Sequence, residues 1–228
     1  MSTQRTLVDL SHPVVSGEVG WIGLPAPRIE PWMTHEASRV KYGGKAEFEI
    51  THVSMVGNAG TYLDAPRHRI AGASDIAGLP LELLAGLPGA VLDGRPAADG
   101  RRVDLDGVDL TGVRGHAVLV RTGWDARRGT DGYFTEGPFL SARATERLVA
   151  AGVLLLGTDA ANVDDAGDPS RPAHTGLLGA GIPIVEHLRG LGPLPARGFR
   201  FFAVPAPVRD AVTWPVRAFA EIGGDAAS

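Results

Sequence analysis

Residues 58–68 read Asn58-Ala-Gly-Thr-Tyr-Leu-Asp-Ala-Pro-Arg-His68, a run dense in groups that can do chemistry. Gly60 permits a tight backbone turn, and Pro66 stiffens the chain between Asp64 and His68. In an extended segment, alternate side chains share a face. Asn58, Tyr62, Asp64 and His68 are therefore expected to converge, subject to the turns at 60 and 66. A carboxylate and an imidazole four residues apart on a stiff loop suit a metal site or an acid–base pair. Taken alone, Asp64 reads more simply as a turn cap and His68 as a solvated side chain.

Working outward, Glu47 to Val56 alternates as a strand and runs into the sharp loop Gly57-Asn58-Ala59-Gly60. Thr6 to Leu10, Ala90 to Leu92, His116 to Val120 and Val153 to Gly157 read as further strands. Residues 14–45, with scattered Gly and Pro, are expected to form a long ordered loop, a type of segment that often carries function. Pro80 to Leu84 suggests a short helix with Pro in its first turn. Ser141 is a good N-cap for Ala142 to Ala151, and Gly152 a good C-cap. A helical turn around Thr175 to Leu178 leads into Ile182 to Glu186. The C-terminal segment predicts two strands around a Pro-rich loop, then a small, polar, frayed tail from Gly223 to Ser228. Strands outnumber helices, no internal repeat appears, and no Gly-rich phosphate loop follows a strand. The expectation is one mixed α/β domain over 1–228, not a doubly wound nucleotide fold.

A second segment, His174-Thr-Gly-Leu-Leu-Gly-Ala-Gly-Ile-Pro-Ile-Val-Glu186, places an imidazole and a carboxylate at the two ends of a short helix and a return strand. That spacing can bring both to one place, although a surface His and a strand-end Glu would show the same pattern.

The chain of 228 residues is 44% hydrophobic and 21% charged, the balance of a globular protein with a sizeable core. A net charge of −4 argues against a nucleic-acid partner, and no basic run with interleaved aromatics is present. The absence of cysteine excludes disulfides, thiolate nucleophiles and zinc–thiolate sites, so a metal would need His, Asp, Glu or another oxygen donor. The N-terminus lacks the pattern of a signal peptide, and the longest aliphatic run is too short to span a bilayer. A cytoplasmic location, no membrane partner and a small-molecule substrate are the expectations.

The first segment resembles the His-x-Gly-Thr-His-x-Asp-x-Pro-x-His signature of the cyclase family that includes bacterial kynurenine formamidase and isatin hydrolase. Gly60, Thr61, Asp64, Pro66 and His68 stand in register with it. The second segment resembles the family's His-x-x-Leu-Leu…Ile-Val-Glu stretch. Asp9-Leu10-Ser11, Trp21, Arg121-Thr-Gly-Trp124, Gly157-Thr-Asp159 and Pro215-Val-Arg217 are similar to further landmarks, so the likeness covers nearly the whole chain. It implies a swivelling β/β/α fold with a mixed sheet, assembled as a homodimer or homotetramer. It also implies that Asp64, His174 and Glu186 are metal ligands, that His68 is a catalytic proton shuttle and that Trp21 faces the substrate.

The signature is broken at two positions. Asn58 and Tyr62 stand where the family has metal-binding His. A neutral amide and a phenol with an unperturbed pKa of about 10 are poor ligands, though either can hydrogen-bond a substrate carbonyl or carboxylate. With Asp64, His174 and Glu186 intact, the expectation is one Zn²⁺ or Mn²⁺ per subunit and metal-assisted hydrolysis of a small amide, lactam or lactone. The alternatives are a metal-free acid–base enzyme (a cyclase, dehydratase or isomerase using Asp64, His68 and Tyr62) and a non-catalytic ligand-binding protein. His12, His35, His52, His116 and His187 lack a partner at telling spacing and read as structural or surface residues, with His52 set apart by its place on the strand that leads to the site. Asp159 is placed on a strand end that can approach the site, Asp164 and Asp165 read as turn caps, and Arg67 and Arg69 as rim residues, mainly solvated.

Overall fold

The computed structural model describes residues 5–94, 96 and 100–223. Most of the expected tail lies outside that range. Among the described residues there are thirteen strands and three α-helices, nine of the strands forming one mixed sheet. In chain order the strands are β1 (Thr6–Asp9), β2 (Arg28–Met33), β3 (Ile50–Ser54), β4 (Tyr62–Asp64), β5 (Ala85–Asp93), β6 (Arg102–Val103) and β7 (Ala117–Arg121). They continue with β8 (Phe139–Leu140), β9 (Leu155–Thr158), β10 (Ile184–Glu186), β11 (Phe199–Phe202), β12 (Thr213–Pro215) and β13 (Phe219–Ile222). The helices are α1 (His35–Lys41), α2 (Ala142–Ala151) and α3 (Pro172–Gly179).

The large sheet runs β1-β13-β11-β5-β7-β9-β10-β4-β12. Its centre, β5-β7-β9-β10, is parallel, and the flanks on both sides are antiparallel. Parallel strands are buried on both faces, and here successive residues feed two different cores. Leu119, Leu155 and Val185 join one with Phe199 and Phe201, while Val118, Leu156 and Ile184 join the other with α2 and α3. The sheet curls until its ends approach. Ser11, just past β1, bridges Leu188, just past β10, and the Thr61 amide donates to the His12 carbonyl at 3.3 Å.

α2 begins and ends where its caps predict. Ser141 Oγ accepts from the Ala144 amide at 3.1 Å, and Gly152 closes the helix at φ 75°. The expected loop over 14–45 is a partial misreading, because it contains β2 and α1. Thr34 caps α1 by accepting from the Ala37 amide, yet only Ser38 of the helix is buried. A helix with no apolar stripe gives no periodic signal. Two other elements also differ. Pro80 precedes a single 3-10 turn instead of opening a helix, and the C-terminal segment holds three strands because β12 pairs separately with β4.

β2 and β3 form a separate two-stranded ribbon whose residues are almost all exposed. Ile29 and Pro31 share one of its faces with Val53 and Thr51, and Trp32, 75% exposed, lies beside His52 on the other.

Candidate functional site

β4 lies between β10 and β12, antiparallel to both, and this arrangement gathers the two sequence segments. Tyr62 faces Glu186 across the ladder, and Asp64, two residues on, shares the Tyr62 face. The 3-10 turn Pro66–His68 then folds His68 toward α3, where its ring lies 5.7 Å from that of His174. Gly60 makes the approach to β4 possible. Its φ is +62°, and an added Cβ would stand 2.9 Å from the His12 carbonyl oxygen.

Asn58, Tyr62, Asp64, His68, His174 and Glu186 all line one cavity of about 310 Å³. Trp21 lines it too, packed edge-on against Phe134. Gly20 brings Trp21 there, since its Cα packs on the Asn58 carbonyl with no room for a side chain. Leu24, Arg69, Asn162 and Arg171 complete the wall.

Asp64 is fully buried, and neither of its carboxylate oxygens has a hydrogen-bond partner. Buried carboxylates in that state are rare and costly, and they mark sites that an ion completes. His174 Nε2 lies 3.5 Å from Asp64 Oδ2 and 3.7 Å from Glu186 Oε1. Ligand atoms of Asp64, His68 and His174 fall within 4.8 Å of one another, the one such group among the described residues. The donor set therefore fits a divalent cation with nitrogen and oxygen ligands. On distance alone His68, expected as a proton shuttle, belongs with the ligands, and Glu186 stands one step to the side.

Glu186 is held in place from two directions. Tyr62 Oη donates to its Oε2 at 2.6 Å, and the Val163 amide donates to its Oε1 at 2.7 Å. Asn58 is within bonding reach of the Tyr62 hydroxyl and accepts from Thr213 Oγ1 at 3.1 Å. The two residues that break the signature thus form a neutral chain ending on Glu186. Burial and the Glu186 and Asp64 charges hold the Tyr62 phenol well above its usual range, so it stays a donor.

Electrostatically the cluster carries more negative charge than His174 offsets. Burial opposes the His174 cation, but Asp164 as hydrogen-bond acceptor, with the nearby Glu186 and Asp64 charges, raises its pKa to about 10. Burial pushes Glu186 up to about 7, with His174 pulling the other way and Asp64 adding to the rise. Burial also lowers His68, against the pull of Asp64.

Asp164, read from the sequence as a turn cap, proves to be the residue that aims His174. Its Oδ1 accepts from the Ala173 amide at 2.6 Å, and its Oδ2 from the His174 amide at 3.0 Å and His174 Nδ1 at 2.6 Å. Asn162 and Arg171 in the cavity wall also carried no telling spacing. Asp159, in contrast, is occupied elsewhere, its carboxylate accepting from the Thr122 amide and hydroxyl and the Gly123 amide at 2.6–2.8 Å. Of the remaining histidines, His52 lies on the exposed ribbon, away from the cavity. His187 is fully buried behind Tyr62, its Nδ1 3.0 Å from the Tyr133 hydroxyl.

The class so defined is a curled mixed-sheet α/β protein with an acid–imidazole pocket on the short antiparallel strand beside the parallel centre. The chain belongs to the cyclase family, since residues 8–165 match the model described as "Putative cyclase". It is 32% identical to kynurenine formamidase of Sphingopyxis alaskensis, over 92% of this chain and 95% of that one. It is 26% identical to isatin hydrolase of Roseibium aggregatum, over 96% and 98%. Isatin hydrolase A from Labrenzia aggregata superposes with a TM-score of 0.80 at 24% identity, covering 96% of this chain and 94% of that one, a likeness of fold.

Proposed function

We propose that the chain is a hydrolase of a small amide, lactam or lactone that works with one Zn²⁺ or Mn²⁺ per subunit. The observation that carries this is Asp64, a fully buried carboxylate with both oxygens unpartnered beside His174 and Glu186. The relatives named kynurenine formamidase and isatin hydrolase support hydrolysis as the reaction class.

Asp64, His174 and Glu186 would hold the ion. Charge favours this set over one that replaces Glu186 with His68, because two buried carboxylates balance a dication and one does not. A single ion follows from Asn58 and Tyr62, whose hydrogen bonds to Thr213 and Glu186 leave a neutral amide and a phenol where further ligands would be needed. The chemistry a divalent cation supplies when bound there is Lewis-acid polarisation of a carbonyl and acidification of water. His68, the most exposed of the cluster, takes the proton of the attacking water and returns it to the leaving nitrogen or oxygen. Trp21 offers a flat face to the substrate, and Asn58 an amide to its polar edge.

His68→Ala tests the division of roles. The variant is expected to keep one ion per chain after loading and dialysis, while turnover of N-formyl aromatic amines, lactams and lactones falls by about 10²- to 10⁴-fold. Loss of the ion would make His68 a ligand instead. Failure of the native chain to bind either metal would leave the acid–base reading with Asp64, His68 and Tyr62.

We propose further that the chain forms a homodimer or homotetramer through the β2–β3 ribbon. Ile29 and Val53, 38% and 47% exposed, lie together on one face, and Trp32 and Ile50, 75% and 44% exposed, stand on the ribbon's other side, apolar surface that its own chain leaves uncovered. Ile29 and Val53 face each other across the ribbon, so Ile29→Glu with Val53→Lys preserves strand pairing while charging that face. Light scattering is expected to give a multiple of 23.8 kDa for the native chain and the monomer mass for the double variant. A native monomer would refute the assembly.

A further inference from the structure

We propose that Arg128 is a positioning residue for substrate binding: its ion pair with Glu18 holds residues 18–22 in place, so that Trp21 stands as a wall of the catalytic cavity. The proposal rests on reading that cavity as the catalytic site. Trp21 and Leu24 line it from one side of the segment, while Glu18, Val19 and Ile22 line a second cavity, of about 630 Å³, on the other. The segment is therefore a partition with open space behind it. Whatever fastens it sets where the Trp21 ring stands.

Among the described residues, no backbone hydrogen bond joins residues 18–23 to a strand or helix. The Glu18 amide donates to the Val15 carbonyl and the Leu24 amide to the Trp21 carbonyl, both local turns at 3.2 Å. Gly17 and Gly23 bracket the segment at φ +85° and +84°, and an added Cβ at either would find nothing within 4 Å, so both serve the backbone turn and not packing. The contacts that hold the segment run through Gly20, Trp21 and Glu18. Gly20 packs on the Asn58 carbonyl, and the Trp21 ring meets Phe134 edge-on at 5.4 Å. Glu18 Oε1 accepts from Arg128 Nε at 3.0 Å and from Nη2 at 2.6 Å. Of the three, this is the charged and directional contact, roughly twice as strong as a bond between neutral groups.

Arg128 is the fixed half of the pair. Its side chain is 13% exposed, against 44% for Glu18. Its Nη1 lies 3.1 Å from His187 Nδ1, and because a guanidinium can only donate, that ring nitrogen is the acceptor. His187 is itself fully buried, backs the Tyr62 ring at 5.3 Å, and accepts from the Thr61 hydroxyl through its carbonyl. The guanidinium also lies over the Tyr133 ring at 5.9 Å, and Tyr133 packs edge-on against the same Phe134 that supports Trp21. Arg128 thus stands on the buried rings behind Tyr62 and reaches out to the segment that carries Trp21. His12 also interacts electrostatically with Glu18, but burial and the Arg128 charge push its pKa down to about 4, so it is neutral near pH 7. An ion pair between two free side chains contributes little, because both must be ordered, whereas here one partner is ordered already.

The test removes Glu18, which lies outside the catalytic cavity, and reads Trp21 directly. Glu18→Ala is expected to raise the acrylamide quenching constant of the chain's tryptophan fluorescence. That rise is expected to vanish when the comparison is repeated in a Trp21→Phe background. In the zinc-loaded protein the same substitution is expected to raise KM for formanilide by about 3- to 10-fold, the worth of one aromatic contact, with kcat changed by less than about twofold. KM for γ-butyrolactone, which has no ring to lay on Trp21, is expected to move by less than about twofold. Arg128→Gln removes the charge from the other end, and it and the double variant are expected to match Glu18→Ala within about twofold, as two halves of one contact do. Unchanged quenching in Glu18→Ala, additive effects of the two substitutions, or equal rises in KM for both substrates would overturn the positioning role and leave the hydrolase standing. A Trp21-dependent change in quenching, with neither substrate turned over by the native chain, would do the reverse.

Discussion

Asp64→Asn is expected to abolish the thermal stabilisation that Zn²⁺ or Mn²⁺ gives the native chain, and to raise the melting temperature of the ion-free protein. The first effect follows from ligand loss. An ion at 100 times its dissociation constant stabilises a fold by about 2.7 kcal/mol. For a chain of this size each kcal/mol moves the midpoint by about 2–4 °C, so the native protein should gain roughly 5–10 °C on loading. The second effect follows from burial. In the ion-free protein Asp64 is sealed from water, accepts no hydrogen bond, and stands beside a second buried carboxylate, Glu186. The His174 cation offsets part of that cost at 3.5 Å, but its strongest bond, 2.6 Å, goes to Asp164. Removing a charge so poorly compensated is expected to add about 1 kcal/mol or more to ion-free stability. Melting curves in chelator and in excess metal read both effects. Equal metal-induced shifts in the native chain and the variant would remove Asp64 from the site.

Such a trade of stability for function explains why the site was partly legible before the fold was known. A carboxylate and a histidine on a Gly/Pro-stiffened stretch drew attention to Asp64 and His68, but local chemistry alone left a turn cap and a solvated side chain as the simpler reading, and the family resemblance tipped it toward a site. Tyr62 and Asp64 share a face as alternation requires, because β4 is a true strand, whereas Asn58 precedes the turn at Gly60 and His68 reaches the cavity through the 3-10 turn. The buried strands β7, β9 and β10 were legible as short apolar runs, and α2 from its two caps. Two kinds of feature stayed hidden. α1 and the ribbon bury almost nothing on their own chain, so they lack the periodicity that reveals an element. Asn162, Asp164 and Arg171 act through contacts made only when the loop 162–171 folds onto α3 and the cavity, and no spacing along the chain encodes that.

Asp164 and Asp165 show how far local reading reaches, and they set the last prediction. Side by side in a polar loop, the two are equivalent turn formers in sequence. In the fold, Asp165 is half-buried and pairs with Arg101 at the surface, whereas Asp164 is sealed inside and satisfies the first turn of α3. Its bond to His174 Nδ1 also places the proton on that nitrogen, leaving Nε2 to face Asp64, Glu186 and the ion site. Asp164→Asn is nearly isosteric, yet it exchanges one acceptor oxygen for an N–H₂ group. At least one of the three donors now at the carboxylate must then meet another donor, and the charge that favours Nδ1–H is gone. The expected result is a fall in zinc affinity of about 10- to 100-fold and a loss of about 1–3 kcal/mol in unfolding free energy. Asp165→Asn, which touches neither α3 nor His174, is expected to move affinity by less than about twofold, within the small range of surface substitutions. Zinc titration and denaturant unfolding of the two variants give the comparison. If they behave alike, Asp164 is only a helix cap, and His174 must take its orientation from the ion itself.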